Sequence, residues 1–144
     1  MRGKGTTQMS IYDTVDEQLM ELELNDKVFK KDPLKKNLNS TIDMFNSKYL
    51  IELKYRTHSI DKIKLWGGAT IQRDKYQALM RECKDKIPAY INKFPCGTYY
   101  GWNLKKIKEP SWYEKMYNKS TVEDKGLKPK IVGDLQFDEG KKLI

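Results

Sequence analysis

The stretch Thr41–Arg56, TIDMFNSKYLIELKYR, constrains the fold of this chain more than any other. Two segments of alternating character, Thr41–Phe45 and Tyr49–Arg56, flank the turn residues Asn46, Ser47 and Lys48. A hairpin whose turn is centred on Ser47–Lys48 sets Asp43 directly opposite Glu52. Alternation puts Glu52 and Lys54 on one face and Ile51, Leu53 and Tyr55 on the other, where Ile42 and Met44 join them. One side of the hairpin is therefore expected to be apolar, and the other to carry Asp43, Glu52 and Lys54.

Directly opposed side chains in an antiparallel pair have Cβ atoms about 5 Å apart, and like charges there are destabilising. Two carboxylates are tolerated in such a place when positive charge lies between them. Lys54 supplies part of it, and a divalent cation can supply more. Converging hard oxygens suit Mg²⁺, which keeps several waters and binds through one or two carboxylates plus a substrate phosphate. Lys54 would then orient or deprotonate an attacking water, or stabilise charge at a phosphorus centre. The bland alternative is a surface hairpin with a salt-bridged polar face.

A second pattern lies downstream. Thr70–Lys84, TIQRDKYQALMRECK, predicts a helix capped by Thr70, with Gln72, Tyr76, Leu79, Met80 and Cys83 along one broad face. Gln72 and Tyr76 are neighbours at i and i+4 on such a helix. A core stripe accounts equally for Tyr76.

Asp43 followed by Glu52-Leu53-Lys54 resembles the core of the PD-(D/E)XK nuclease superfamily, with Ile42 where the family name has proline. Gln72-Arg73-Asp74-Lys75-Tyr76 resembles the QxxxY motif of its RecB-like branch. The resemblance covers about Asp13 to Leu104. It implies an α/β fold with a restriction-endonuclease-like core, a central mixed β-sheet flanked by helices. It further implies a Mg²⁺- (or Mn²⁺-) dependent deoxyribonuclease working in recombination, repair or phage-type DNA processing. In that reading Asp43 and Glu52 hold the metal, with the Leu53 backbone carbonyl as a further ligand. Glu17 or Glu21, on the helix before the core strands, adds a carboxylate, and the sequence does not choose between them. Lys54 activates or orients water, and Gln72 and Tyr76 position the substrate strand. The first helix lacks the histidine-containing segment of full RecB-like enzymes, which favours endonuclease over exonuclease. The resemblance admits a homodimer, a helicase or recombination partner, and a cytoplasmic location, in a host cell if the protein is viral.

Charge bears on the partner. The net charge is +8, and lysine supplies 24 of the 28 basic residues. A basic surface favours a polyanion, with DNA the first choice. Lys35, Lys36, Arg56, Arg73 and Lys75 are the candidate contacts. The alternatives are a lysine-rich composition that says nothing of partners, a basic nucleic-acid-binding module with a degenerate nuclease fold, and an interaction protein whose charge serves solubility. No apolar run approaches the ~20 residues needed to span a bilayer, and the N-terminus, MRGKGTTQMSIYD, has no apolar h-region. Cys83 and Cys96 lie in unlike contexts, form no metal motif, and read as reduced thiols. His58 is the only histidine, and a lone loop histidine is more often incidental than functional.

The chain reads as one domain of 144 residues with a flexible arm over 1–10 and a loose tail over 138–144. Ile11–Leu24 predicts a helix capped by Asp13 or Thr14. Its stripe is Val15, Leu19 and Leu22, widened by Met20 and Leu24; a strand beginning near Met20 competes with it. Asn25–Ser40 is a polar loop with a short strand at Val28–Phe29. Ile60–Leu65 is a helical turn broken by Gly67-Gly68. Ile87–Phe94 and Tyr99–Leu104 form a second hairpin around Pro95–Thr98. Pro110–Tyr117 predicts a short helix whose Trp112, Tyr113 and Tyr117 either pack or stack on bases. Ser120–Gly126 is a polar linker, and Lys130–Phe137 adds a strand.

Overall fold

A computed structural model describes residues 11–38, 41–118 and 127–144. The expected arm over 1–10 and the linker Ser120–Gly126 lie outside the described residues. The elements are α1 (Ile11–Lys27), β1 (Lys35–Lys36), β2 (Met44–Phe45), β3 (Tyr49–Tyr55), α2 (Ile60–Leu65), β4 (Ala69–Gln72), α3 (Arg73–Glu82), β5 (Ile87–Lys93), β6 (Tyr99–Asn103), β7 (Tyr113–Asn118), β8 (Leu127–Leu135) and β9 (Lys141–Lys142). Among the described residues no helix is long and apolar enough to cross a membrane.

Turn chemistry sets the first hairpin. Asn46 is buried, its side-chain oxygen accepts the N–H of Lys48 at 3.0 Å and of Tyr49 at 2.7 Å, and its own N–H donates to the Tyr49 carbonyl. This Asx-type turn pairs Phe45 with Leu50 and Met44 with Ile51, the register expected for a turn centred on Ser47–Lys48. β3 then pairs in parallel with β5, setting Glu52 beside Tyr90 and Lys54 beside Asn92. The crossover runs through α2, β4 and α3. The resulting six-stranded sheet has the order β1-β2-β3-β5-β6-β9 and is mixed, since its other pairs are antiparallel. A second sheet, β4-β8-β7, is antiparallel. The chain is thus α/β with a mixed central sheet flanked by helices.

Both faces of the large sheet are covered. Leu50, Tyr90, Phe94, Trp102 and Leu104 pack with Tyr76 and Leu79 of α3 and with Ile71 and Leu135 of the second sheet. Ile51, Leu53, Ala89, Ile91 and Tyr99 pack under Met20 and Leu24 of α1. The expectation of one apolar and one polar hairpin face is therefore corrected: the face that carries Glu52 also carries buried Leu50. Ile42 packs with Leu50 rather than with Met44, because it sits in a bend before β2 where strand alternation no longer applies.

Several other boundaries differ. α1 is already helical at Ile11, so Asp13 and Thr14 lie inside it rather than capping it, and it runs on to Lys27 with no strand near Met20. Its buried side is Met20 and Leu24, while Val15, Leu19 and Leu22 are exposed. Val28 and Phe29 follow the helix as a turn and pack against the α1 side of the sheet. Residues 69–72 are strand, and α3 begins at Arg73 with Gln72 as an extended cap. Tyr113–Asn118 is a strand, not a helix, because it pairs along β8. The tail is not loose: β9 pairs with β6, and Leu143 and Ile144 exchange backbone hydrogen bonds with Tyr99.

The sharp turn from α2 into β4 needs Gly67 and Gly68, whose φ angles are 110° and 130°. A Cβ on Gly68 would come within 2.6 Å of the Leu135 carbonyl oxygen, so glycine here satisfies both the backbone conformation and the close approach of β8.

One polar tie fastens α1 to the sheet. Glu23 accepts from Lys93 Nζ and from the Tyr99 hydroxyl, each at 2.6 Å. These two hydrogen bonds, Lys93 first, hold the Glu23 carboxyl below its usual range. Glu23→Ala leaves the hydroxyl of buried Tyr99 without its acceptor, so we expect a loss of about 1–3 kcal/mol in urea unfolding at neutral pH. The folded-state pKa is depressed, so this contribution is present above the ordinary glutamate value and lost as pH falls. The gap between wild type and variant should therefore close in acid.

Candidate active site

The ladder between β2 and β3 stops at the Met44–Ile51 pair. Asp43, the next residue outward, replaces it with a side chain: its Oδ2 accepts the Leu53 N–H at 3.0 Å. A β3 donor that the vanished strand would have met is thereby satisfied. Across from Asp43 lies Glu52, which is only 9% exposed, and the two carboxyl groups are within hydrogen-bonding reach of each other. The carboxylate opposition expected from the hairpin register is present.

A cation in contact with Glu52 is Lys75, in the first turn of α3. Its Nζ lies 3.5 Å from Glu52 Oε2 and donates to the Thr41 carbonyl at 3.0 Å. Glu52 Oε1 is sealed from solvent and has no hydrogen-bond partner. Burial, then the Asp43 charge, push the Glu52 carboxyl up to about 8; Lys75 opposes the rise and Glu17 adds to it. Burial also raises Asp43, against the pull of the Leu53 N–H and Lys75. Both shifts favour the protonated form of the pair.

Glu52 opens onto a cleft of about 750 Å³. α1 contributes Asp16, Glu17 and Met20 to its lining. The end of β3 contributes Leu53, Lys54, Tyr55 and Arg56, and the loop after it Thr57 and His58. Trp66, Gly68 and residues 70–72 form another side, and Lys115 and Lys130 of β7 and β8 approach from the second sheet. Asp43 does not line the cleft and meets it through Glu52.

Of the two candidate helix carboxylates, Glu17 is at the cleft and Glu21 is not. Leu53 is on the lining, with its N–H committed to Asp43. Lys54 is exposed on the lining, on the face of Glu52. Gln72 also lines the cleft, from the end of β4 rather than from a helix. Tyr76 does not reach it: it is 6% exposed, packed in the core with its ring 5.2 Å from that of Trp112. The helical pairing expected of Gln72 and Tyr76 fails because the helix starts one residue after Gln72.

Among the candidate DNA contacts, Lys75 sits at the carboxylates. Arg56 lines the cleft, but its guanidinium braces the fold, donating from Nε to Asn92 Oδ1 at 2.6 Å and otherwise to Thr70 and to the Tyr90 hydroxyl. Arg73 has its Nε buried without a partner and is not on the lining. Lys35 and Lys36 form the exposed edge strand β1, also away from the cleft.

Sequence reasoning missed Lys75 as the charge partner of Glu52, and it missed Trp66, Lys115 and Lys130 as cleft residues. A signal for Lys75 existed. A lysine in the first turn of a helix opposes the helix dipole, so it points to a nearby anion.

The donor set can be weighed against a divalent cation. Among the described residues no three His, Cys, Asp or Glu side chains converge as a metal cluster. Two carboxylates do meet, with one buried oxygen unsatisfied and Glu17 nearby. Hard oxygens in that number suit Mg²⁺, which completes its shell with water and phosphate. No protein-family model, no curated protein and no solved structure matches the chain.

Proposed function

We propose that this chain is a metal-dependent deoxyribonuclease with a restriction-endonuclease-like core, hydrolysing phosphodiester bonds at the cleft beside Glu52. One observation carries the reading: half-buried Asp43 against buried Glu52, a carboxylate pair with an unsatisfied oxygen, held where a lysine-lined cleft begins. The connectivity supports the core assignment, since α1, a three-strand meander and a helical crossover lead to a strand parallel to β3.

Bound Mg²⁺ or Mn²⁺ would polarise a phosphoryl oxygen and lower the pKa of a coordinated water. Asp43 and Glu52 would hold it, with Glu17 reaching its waters. The chain's own residues do the rest. The carboxylate pair would give up a proton if a cation were loaded, and the Lys75 ammonium balances its charge. Lys54, exposed on the face of Glu52, hydrogen-bonds the attacking water or the phosphate oxygens. Gln72 flanks the path of the DNA.

The second reading, a DNA-binding module without catalysis, draws on the same ion pair: Lys75 already compensates the carboxylates, and among the described residues no third one converges. The two readings part in one experiment. Asp43→Asn should lower Mg²⁺- or Mn²⁺-dependent DNA cleavage by about 100-fold or more while DNA binding in EDTA survives, and Lys54→Ala should lower cleavage as much. Binding by the wild type with no cleavage under either metal would establish the module instead.

A further inference from the structure

The cleft has a side that the chemistry of the carboxylates does not use. Trp66 lies at the C-terminal cap of α2, 54% exposed, and lines the cleft. It is held in place. The His58 ring meets its indole edge-to-face at a centroid distance of 4.9 Å, and the Trp66 backbone N–H bonds back into α2 at 3.1 Å. Lys62 Nζ stands 5.9 Å from the ring. Trp102 is buried, and the Trp112 indole N–H is committed to Glu109 at 2.7 Å while its ring packs on Tyr76. Trp66 is thus the tryptophan that a ligand in the cleft can touch.

The second sheet adds cations. The β7–β8 register sets Lys115 directly opposite Lys130, and both line the cleft. Lys54 lines the same cleft, whose volume is of the size that encloses a small organic ligand in other proteins. That volume admits a few nucleotides of one strand, not a duplex. A fixed, exposed indole beside lysines is the arrangement that binds single strands: the cations track phosphates and the ring takes a base face. Bases inside a duplex have no free face to offer.

Resting on the nuclease reading for the position of the scissile phosphate, we propose that the cleft takes an unpaired stretch of DNA, one base stacked on Trp66 and its phosphates led by Lys115, Lys130 and Lys54 toward Glu52. The substrate is then single-stranded DNA or the single-stranded portion of a branched molecule.

Tryptophan fluorescence of the full chain carrying Glu52→Gln tests this, titrated in EDTA with oligo-dT and with a blunt duplex of equal length. Oligo-dT should quench strongly and bind more tightly than the duplex. Adding Trp66→Leu should remove the quench and weaken oligo-dT binding by about 10-fold or more. Trp66→Phe should restore most of the affinity. Leu65→Ala, at an exposed neighbour off the cleft, should change nothing. Equal affinity for duplex, or unchanged binding in Trp66→Leu, overturns the proposal. Wild-type cleavage assayed in parallel separates the two ideas. Cleavage that ignores Trp66 sinks this proposal alone, and Trp66-dependent binding without cleavage sinks the nuclease reading alone.

Discussion

Glu52→Gln should lower metal-dependent cleavage by about 10³-fold or more and, in the same preparation, make the protein harder to unfold. The two effects share a cause. Glu52 is buried opposite Asp43 with one oxygen unsatisfied, and its carboxyl is pushed up to about 8. The folded pKa lies above the unfolded one, so the folded chain binds more protons between the two values. Its contribution to stability is intact below the ordinary glutamate pKa and declines as pH rises through about 8. A tenfold change in proton affinity is worth about 1.4 kcal/mol, so a shift of this size costs the folded chain at most roughly 4 kcal/mol at pH 8. Glutamine imitates the protonated acid: it keeps the shape, loses the charge, and offers an N–H toward Asp43. The metal-free Tm at pH 8 should then rise by roughly 5–10 °C, and the decline of stability with pH should become shallower. Thermal scans across that pH range check this. An unchanged or lower Tm in Glu52→Gln would mean that the pair is not crowded in solution.

The second large effect concerns Lys75, which acts as the resident counter-charge. Its Nζ is 3.5 Å from Glu52 Oε2, and its charge holds down the pKa of both carboxyls. Lys75→Met removes that ammonium from Glu52 Oε2. Breaking a buried ion pair from one side is expensive, and partial solvent access at Lys75 reduces that here. We expect a loss of about 1–3 kcal/mol in metal-free urea unfolding at pH 8, largely recovered when Glu52→Gln is added. Added Mg²⁺ should move the other way. With a like charge gone from beside the carboxylates, the Mg²⁺-induced rise in Tm should be larger in Lys75→Met than in the wild type. A smaller rise would make Lys75 a support for the cation rather than a stand-in for it.

The parts of this site that were legible in the sequence are those fixed by neighbours along the chain. Asn46 sets a turn with its own backbone and its nearest residues, so the register that opposes Asp43 to Glu52 follows from a few residues read in order. The second hairpin was legible for the same reason. What escaped depends on partners far off in sequence. β4 is a strand because β8, some sixty residues on, lies beside it, and that pairing moves the start of α3 past Gln72 and turns Tyr76 into the core. Tyr113–Asn118 carries aromatics at helical spacing but takes its hydrogen bonds from β8. In α1 the apolar residues occupy more than one face. The sheet selects Met20 and Leu24, which also carries Glu23 to Lys93 and Tyr99 and Glu17 to the cleft, and leaves Val15, Leu19 and Leu22 outside.

The central claim is that two crowded carboxyls form a cation site whose occupation costs them a proton. Calorimetric titration of the wild type with Mn²⁺ at pH 7, in buffers of different ionisation enthalpy, measures this directly. The account predicts saturable binding with release of roughly one proton per ion, and no such release in Glu52→Gln. Absence of binding, or binding that releases no proton and survives Glu52→Gln unchanged, would contradict it.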